Sequence, residues 1–525
     1  MEVKVSKAQV THIQADGRSS KPSKGWKRLF ATKSIDRLQA DAKNSMLERT
    51  LNAADLAAIG IGGIIGAGIF VLTGIAAAKN AGPAVVLSFV VSGVAASTAA
   101  LSFSEMASLI PLSGSTYTYV YATMGELAGW IIGWDLILEY LVGAATVSVG
   151  WSGYFRSFLK NTFGIQISER YTSAPIVFDT DTQSFRMSGN VLNVPAIFIT
   201  LTISILLYTG VRESARVNTV IVITKLLVIV LLILACIRHV DPKNYTPFFP
   251  PNEGAFSMYG ASGMFTAATT IFFSYIGFDA VTTVAQEAKN PERDLPIGIC
   301  ASLIICTVLY IAMCMIMTGV VPYKELNSPS PISVVIEYTG MSWLTIIVEF
   351  GALIGLTSVM LVFLLAQSRV FYSMAHDGLL PSCAAKIHKK FRTPWVTTVV
   401  SGSSCAILGG VLPVDILGEM SSVGTLFAFV LVNIGVIILR IKRPDLPRRF
   451  KVPFGPYVIP VLGVILSVLL ICAATVSTIT RLFAWIGVGL VIYGLYGRTH
   501  SKINEPISDV QNYEMNRVGS ISESV

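Results

Sequence analysis

One apolar segment, Leu56 to Ala78, most constrains the fold, because it is long enough to cross a bilayer and yet rich in glycine. Its central run, GIGGIIGAGIFVLTG from Gly60 to Gly74, contains six glycines. Each glycine inside a helix costs about 1 kcal/mol relative to alanine, which disfavours an uninterrupted helix here. A break at membrane depth leaves backbone N–H and C=O groups that hydrocarbon cannot satisfy, and such breaks line cavities or bind solutes. The segment therefore predicts a broken membrane helix beside a binding site, as in a transporter.

The composition indicates a polytopic α-helical membrane protein. Of the 525 residues, 53% are hydrophobic and 13% are charged, whereas about 25% of the residues in a soluble domain are charged. The seven cysteines follow no metal-ligand spacing and six of them fall in apolar runs, so we expect neither a metal site nor a structural disulfide. No nucleophile–base pattern, cofactor motif or nucleic-acid-binding pattern stands out in the sequence, which disfavours an enzyme and a nucleic-acid partner.

Twelve apolar runs reach or approach the roughly 20 residues that a membrane helix needs. Lysine and arginine concentrate in alternate loops, notably in AKIHKKFR at 385–392 and RIKRPDLPRRFK at 440–451, and basic loops stay in the cytosol. We therefore predict that both termini are cytosolic. The predicted spans are 52–78, 82–108, 117–152, 191–210, 217–238, 259–287, 297–320, 341–368, 395–412, 415–440, 456–476 and 480–497.

A second interruption is predicted in the sixth span, where IFFSYIGFDAV runs from Ile271 to Val281. Gly277 stands there between Ser274 and Asp279, and an acid at membrane depth is a functional hypothesis by default. The alternative is helix packing through small residues. The first and sixth spans occupy corresponding positions in two five-helix halves, and paired interruptions of this kind indicate a binding site at the midplane.

The expected fold class is therefore an all-α polytopic membrane protein of twelve transmembrane helices. It has a 5+5 inverted repeat, broken helices 1 and 6, and two further C-terminal helices. The predicted regions are a basic cytosolic tail (1–50), a first five-helix repeat (51–240), a second five-helix repeat (241–440), a C-terminal two-helix segment (441–500) and a disordered cytosolic tail (501–525).

Five stretches resemble the amino acid–polyamine–organocation superfamily. DLAAIGIGGIIGAGIFVLTG at 55–74 is similar to its first helix, GSTYTYVYATMGELAGWIIGWDLILEY at 114–140 to its third, and FSYIGFDAVTTVAQEAKNPERDLPIGI at 273–299 to its sixth helix and following loop. AQSRVFYSMAHDGLLP at 366–381 adds a further match, and RRFKVPFGPYVIP at 448–460 resembles the C-terminal segment of cationic amino acid transporters. The resemblance implies a LeuT-like transporter that works by alternating access, in which spans 1, 2, 6 and 7 rock against spans 3, 4, 8 and 9.

The chemistry of an α-amino acid suggests how the two breaks bind it. The outer half of span 1 begins near 66–68, where free N–H groups and the positive end of the helix dipole attract a carboxylate. The outer half of span 6 ends near Phe273, whose ring is also an outer gate by resemblance. Free carbonyls at both breaks accept from the ammonium. The backbone positions expected to bind substrate are Gly66, Ala67 and Gly68 through N–H, and Ile65, Phe273, Ser274 and Ile276 through C=O.

Recognition of the substrate side chain is assigned to acids and to one methionine. Asp135 and Glu139 in span 3 and Asp279 in span 6 lie at membrane depth, where an uncompensated charge is expensive. Glu139 is the first candidate to bind a cationic side chain, and a structural hydrogen bond to a neighbouring helix is the alternative. Met360 in span 8 faces the substrate side chain by resemblance, where a bulky thioether favours smaller substrates; core packing is its alternative.

Lys225 lies well inside span 5, about 12 Å along the helix at 1.5 Å per residue. One interpretation is a lysine that snorkels to the membrane surface. By resemblance to proton-coupled relatives, a lysine at this position lies near span 1, where sodium-coupled members place an ion, and binds and releases a proton during the cycle. This interpretation predicts proton coupling rather than sodium coupling.

The function predicted from these features is secondary active transport of amino acids, with protons and the lipid bilayer as the other partners. The resemblance favours cationic substrates such as arginine, lysine and ornithine, whereas Met360 favours small neutral ones such as alanine. A hypothesis of another class is an amino-acid sensor that signals through its tails, although the tails contain no recognisable domain. The predicted location is the plasma membrane, with a vacuolar or lysosomal membrane as the alternative.

Overall fold

The computed structural model describes residues 29–35, 38, 49, 51–112, 114–179, 184–209, 215–388, 391 and 393–502. Most of the two predicted cytosolic tails lies outside these residues. In chain order the helices are α1 (Ala53–Ile64), α2 (Thr73–Ala76), α3 (Val85–Leu109), α4 (Ser115–Met124), α5 (Glu126–Phe163), α6 (Val194–Thr209), α7 (Ala215–Cys236), α8 (Gly260–Ile271), α9 (Ala280–Thr283), α10 (Pro291–Val320), α11 (Pro331–Thr339), α12 (Ser342–His376), α13 (Trp395–Val411), α14 (Val414–Lys442), α15 (Val458–Ala473), α16 (Val476–Ile492) and α17 (Arg498–His500).

Eight stretches of the described chain are long and apolar enough to cross a membrane, and three shorter apolar helices, α6, α13 and α15, accompany them. The first of the eight, Ala53–Leu109, is 57 residues long and contains both α1 and α3. Gly82, with φ of 59°, separates these two parts of the stretch. The protein is therefore an integral membrane protein built from helices.

The third predicted span, 117–152, is wrong in its boundaries. Two helices occupy this part of the chain, because Gly125 adopts φ of 104°, a conformation open mainly to glycine, and ends α4. The buried helix α4 then packs back along α5: a Cβ on Gly129 would lie 2.9 Å from Tyr121, and one on Gly133 would lie 3.0 Å from Tyr117. Only a few residues separate the aromatic and aliphatic residues of α4 from those of α5, so the sequence reading merged the two helices.

The all-helical architecture also contains one short sheet, which the sequence did not indicate. The long loop after α5 contains a two-stranded antiparallel sheet, in which β1 (Ile176–Asp179) pairs with β2 (Ser184–Met187). Ile176 lies opposite Met187 in this register. Strands of four residues are too short for their alternating pattern to be distinguished from a loop in the sequence.

Glu105, near the end of α3, anchors the segment that follows α14. Its carboxylate is 1% exposed and accepts hydrogen bonds from Arg440 Nε and from the backbone N–H of Val452, both at 2.8 Å. Arg448 Nε lies 3.3 Å from the same carboxylate, and its guanidinium donates to the carbonyl of Arg443 at 2.9 Å. The RRFKVPFGP run therefore connects the end of α14 to α3.

Glu105→Gln is expected to lower the free energy of unfolding by about 3 kcal/mol, because it removes the buried negative charge that two largely buried guanidinium groups contact. Thermal unfolding in detergent, followed by near-UV circular dichroism, measures the effect. Asp445→Asn is the matched control, because Asp445 pairs with Arg443 in solvent and the hydrogen bond from that arginine lowers the aspartate pKa. Equal melting temperatures for the Glu105 variant and the control would contradict this anchoring role.

Candidate functional site

The two broken helices touch each other at their breaks. Helix α1 ends at Ile64, Ile65 is extended, and the helical path resumes through a π-helical turn, Gly68–Leu72. Gly277 has φ of 117° between α8 and α9, and a Cβ placed on it would lie 2.7 Å from the backbone of Gly63. Both predicted interruptions are present, and only two glycines allow the two backbones to approach this closely.

The helical path after the first break begins inside the protein rather than at its surface. Gly66, Ala67 and Gly68 are buried, and the first N–H groups of a helix have no partner within the helix. A Cβ on Gly66 would lie 3.0 Å from Val359, and a Cβ on Gly68 would overlap Ser274. The Ser274 hydroxyl is buried and hydrogen-bonds to no residue that the structure describes. These groups together form a small polar cluster, called the recess below, whose N–H groups suit a carboxylate.

The carbonyls at the breaks already have protein donors. The hydroxyl oxygen of Tyr310 on α10 lies 2.8 Å from the carbonyl oxygens of both Ile64 and Ser274, and its single hydrogen can be donated to either one. The carbonyl of Ile65 accepts from Lys225 at 3.1 Å. Each carbonyl oxygen has two lone pairs, so an ammonium can still bind there. Tyr310 was not predicted as a functional residue, because a tyrosine in an apolar run carries no positional signal.

A short 3₁₀ helix, Phe272–Tyr275, precedes the second break, and Ile276 ends it. Its backbone is extended, and its N–H donates to the carbonyl of Phe273 at 3.1 Å. The predicted acceptor at Phe273 therefore stabilises the break itself.

Lys225 lies next to the first break, as the resemblance implied. Its side chain is 1% exposed, and its ammonium donates to the carbonyls of Gly62 at 2.7 Å and Ile65 at 3.1 Å. The hydroxyl of Ser358 on α12 lies 3.4 Å away. Because the C-terminal end of α1 carries the negative pole of its helix dipole, it stabilises a cation at this position. The lysine thus connects α7, α1 and α12, and it does not snorkel.

The three acids of the predicted site have different surroundings. Asp279 accepts a short hydrogen bond from the Tyr140 hydroxyl and a second bond from the Gly277 N–H at 3.2 Å, so it ties the second break to α5. Asp135 and Glu139 are fully buried, and neither carboxylate hydrogen-bonds to any part of the chain that the structure describes. The sequence could not distinguish the hydrogen-bonded acid from the other two, because all three lie equally deep in apolar runs.

Glu139 lies some distance from the first break. Helix α5 contacts that break at Gly150, where a Cβ would lie 3.7 Å from Ala67. Glu139 is eleven residues nearer the start of α5, which corresponds to about 16 Å at 1.5 Å per residue. Glu139 is therefore nearer the second break, because the hydroxyl of the neighbouring Tyr140 donates to Asp279.

Phe273 and Met360 are both interior residues. Phe273 is 3% exposed and contacts the Phe363 ring edge-on, with 6.4 Å between ring centroids. Met360 is fully buried and follows Val359, the residue that contacts Gly66. Phe273 is therefore packed inside the protein and does not face lipid, and its role as an outer gate and the substrate contact of Met360 stay predictions.

Comparisons with known proteins show the family to which the chain belongs. Residues 51–493 match the family described as amino acid permease. The branched-chain amino acid permease BcaP of Bacillus subtilis (strain 168) is 46% identical over 479 residues, 91% of this chain and 99% of that protein. The methylthioribose transporter of the same organism is 41% identical over 91% of this chain and 99% of its own length.

Plant relatives match at lower identity. Cationic amino acid transporter 1 of Arabidopsis thaliana is 35% identical over 80% of this chain and 68% of that protein. The match supports the superfamily that the motifs resemble and does not single out its cationic branch. These relatives are permeases and transporters rather than enzymes. The chain belongs to the amino acid permease family of the amino acid–polyamine–organocation superfamily.

Proposed function

We propose that this protein is a proton-coupled secondary transporter that carries neutral amino acids with apolar side chains across the plasma membrane. The observation that carries the proposal is the recess at 66–68, where helix N–H groups and the unpartnered Ser274 hydroxyl converge beside carbonyls of the two breaks. An α-carboxylate suits the N–H groups, and an α-ammonium suits the carbonyls. The bacterial relatives favour the plasma membrane as its location.

The architecture proposed for transport has twelve crossings. The stretch from Ala53 to Leu109 supplies two of them, and the three short apolar helices supply three more. Residues 51–240 and 241–440 form the two five-helix repeats, and 441–500 form the C-terminal pair. The broken helices belong to the moving bundle of spans 1, 2, 6 and 7, which rocks against spans 3, 4, 8 and 9 during alternating access.

Neutral substrates are favoured by two independent observations. The B. subtilis relative of 46% identity is named a branched-chain amino acid permease. Glu139 lies about 16 Å along α5 from Gly150, where that helix contacts the first break, and a leucine side chain bound beside Gly150 would not span this distance. Met360 next to this site would further restrict the side-chain volume.

A cationic substrate is the second candidate. Asp135 and Glu139 are buried acids whose oxygens make no hydrogen bond within the described chain, and a guanidinium or an ammonium would satisfy them. The plant cationic transporters support the same candidate at lower identity.

Uptake of labelled leucine, alanine, arginine and methylthioribose into proteoliposomes distinguishes these substrates. Each uptake is measured with and without an inward proton gradient. Gradient-driven leucine uptake that exceeds arginine uptake is expected. Arginine uptake alone would support the cationic candidate, and the absence of net flux together with leucine binding would support the sensor hypothesis.

Glu139→Gln is expected to leave leucine uptake nearly unchanged, because the glutamine is isosteric and the carboxylate lies too far from the recess to contact leucine. Initial rates and the apparent KM for leucine measure this effect. Under the cationic hypothesis, the same substitution abolishes arginine uptake, because an Arg-carboxylate pair is lost. A large rise in the leucine KM would contradict the proposed distance between this acid and the substrate.

A further inference from the structure

Three residues on one face of α12 lie at increasing distance from the first break. Val359, Phe363 and Gln367 are spaced four residues apart, so they share one face of the helix. Val359 contacts Gly66 at the break. Gln367 is fully buried, and neither atom of its amide group hydrogen-bonds to a residue in the described ranges. Along α12, Phe363 therefore lies between Val359, which contacts the recess, and Gln367, whose amide has no hydrogen bond among the described residues.

The facing helix α5 carries a matching polar residue. A Cβ on Gly143 would lie 2.9 Å from the Phe363 ring, and one on Gly133 would lie 2.8 Å from Met374. These two contacts align α5 and α12 in antiparallel directions, and by that alignment Glu139 is level with Gln367. Two buried, unpartnered polar side chains therefore occur at one level, one helical turn beyond the Phe363 ring.

The Phe363 ring belongs to an aromatic cluster that joins three elements. Its centroid is 6.1 Å from the ring of Tyr140 on α5 and 6.4 Å from the ring of Phe273 at the second break. The side chain of Phe363 is 1% exposed. The notch at Gly143 receives the ring, because any larger residue there would collide with it. The cluster thus separates the recess from the level of Glu139 and Gln367.

We propose that Phe363 is a specificity-determining residue, an aromatic partition that limits the side-chain subsite to apolar substrates of about leucine's length. Along α12, Phe363 lies about 6 Å and Gln367 about 12 Å beyond Val359, at 1.5 Å per residue. A leucine side chain ends at the ring, whereas an arginine side chain has to pass it to reach Glu139. This inference rests on the proposed function and names the residue that selects its substrate class.

Phe363→Ala is expected to remove the barrier between the recess and the side chains of Glu139 and Gln367. Arginine uptake relative to leucine uptake should rise by about tenfold, because the guanidinium then reaches an unpartnered carboxylate. The double variant Phe363→Ala/Glu139→Gln should lose this gain. Phe350→Ala is the matched control, because Phe350 is on the same helix and is 54% exposed. Binding is followed in parallel by ligand-induced thermal stabilisation of the purified protein with leucine and with arginine.

The outcomes separate the two proposals. If the wild-type protein transports leucine and Phe363→Ala keeps the wild-type preference in both uptake and binding, the partition is overturned. If the wild-type protein neither binds nor transports an amino acid, the proposed function itself fails. Where the alanine variant does not fold, Phe363→Leu provides the test, since it keeps an apolar side chain but removes the ring. An unchanged arginine-to-leucine ratio in the leucine variant then overturns the inference.

Discussion

Gly68→Ala is expected to lower amino-acid uptake by about a hundredfold or more, because displacement of the binding groups by roughly 1 Å is enough for such a loss. The new methyl group would overlap the side chain and Cα of Ser274, so the first and second breaks would have to move apart. Both the N–H groups at 66–68 and the Ser274 hydroxyl would then leave their common recess. Alanine favours a helix more than glycine does, so local helix propensity does not explain the loss.

Gly487→Ala is the control for this substitution. Gly487 lies in α16, where a Cβ would meet nothing within 4 Å. Initial uptake rates in proteoliposomes and ligand-induced thermal stabilisation of both variants measure the effect. Normal leucine uptake by the Gly68 variant, with the control also active, would show that the close contact with Ser274 is not needed for transport.

Lys225→Ala is expected to abolish uphill accumulation of substrate under an inward proton gradient. The ammonium is the group that joins the carbonyls of Gly62 and Ile65 to α7, and its removal leaves both without this donor. When this lysine binds a proton, its hydrogen bonds to the first broken helix would become stronger. When it releases the proton, these bonds would become weaker, once in each cycle. Without it, substrate can equilibrate across the membrane but cannot be concentrated by the proton gradient.

The matched control for this second variant is Thr224→Ala, on the adjacent exposed position of α7, where the hydroxyl bonds only within its own helix in the described structure. Counterflow of labelled leucine, measured without any gradient, tests whether the Lys225 variant still binds and exchanges substrate. Proton-driven accumulation is measured on the same vesicles. An Lys225 variant that still concentrates leucine with the wild-type pH dependence would exclude this lysine as the coupling group.

The two breaks could be predicted from the sequence because their cause is local. A helix with glycines at Gly66 and Gly68, or with Gly277 beside an acid, is unfavourable wherever it lies in the fold. Hydropathy likewise indicated most membrane helices, since each must match the thickness of the hydrocarbon by itself. The RRFKVPFGP run was recognised as a motif, but its partner Glu105 was not.

The boundary at Gly125 and the hairpin at 176–187 were missed for physical reasons. Apolar residues on both sides of Gly125 give the same hydropathy whether the chain continues or turns back. A hairpin of two four-residue strands produces no periodic signal strong enough to distinguish it from a loop.

Local sequence patterns indicated most of the apolar helices, the two helix breaks, and the burial of the acids and of Lys225. The partners of these groups depend on the packing of distant helices: Lys225 reaches the first break, Asp279 is bonded to Tyr140, and Glu139 has no hydrogen bond among the described residues. The physical reason is that burial and helix breakage depend on nearby residues of the chain. A hydrogen bond or a ring contact depends on how distant helices align, and the sequence pattern of one helix contains no information about that alignment.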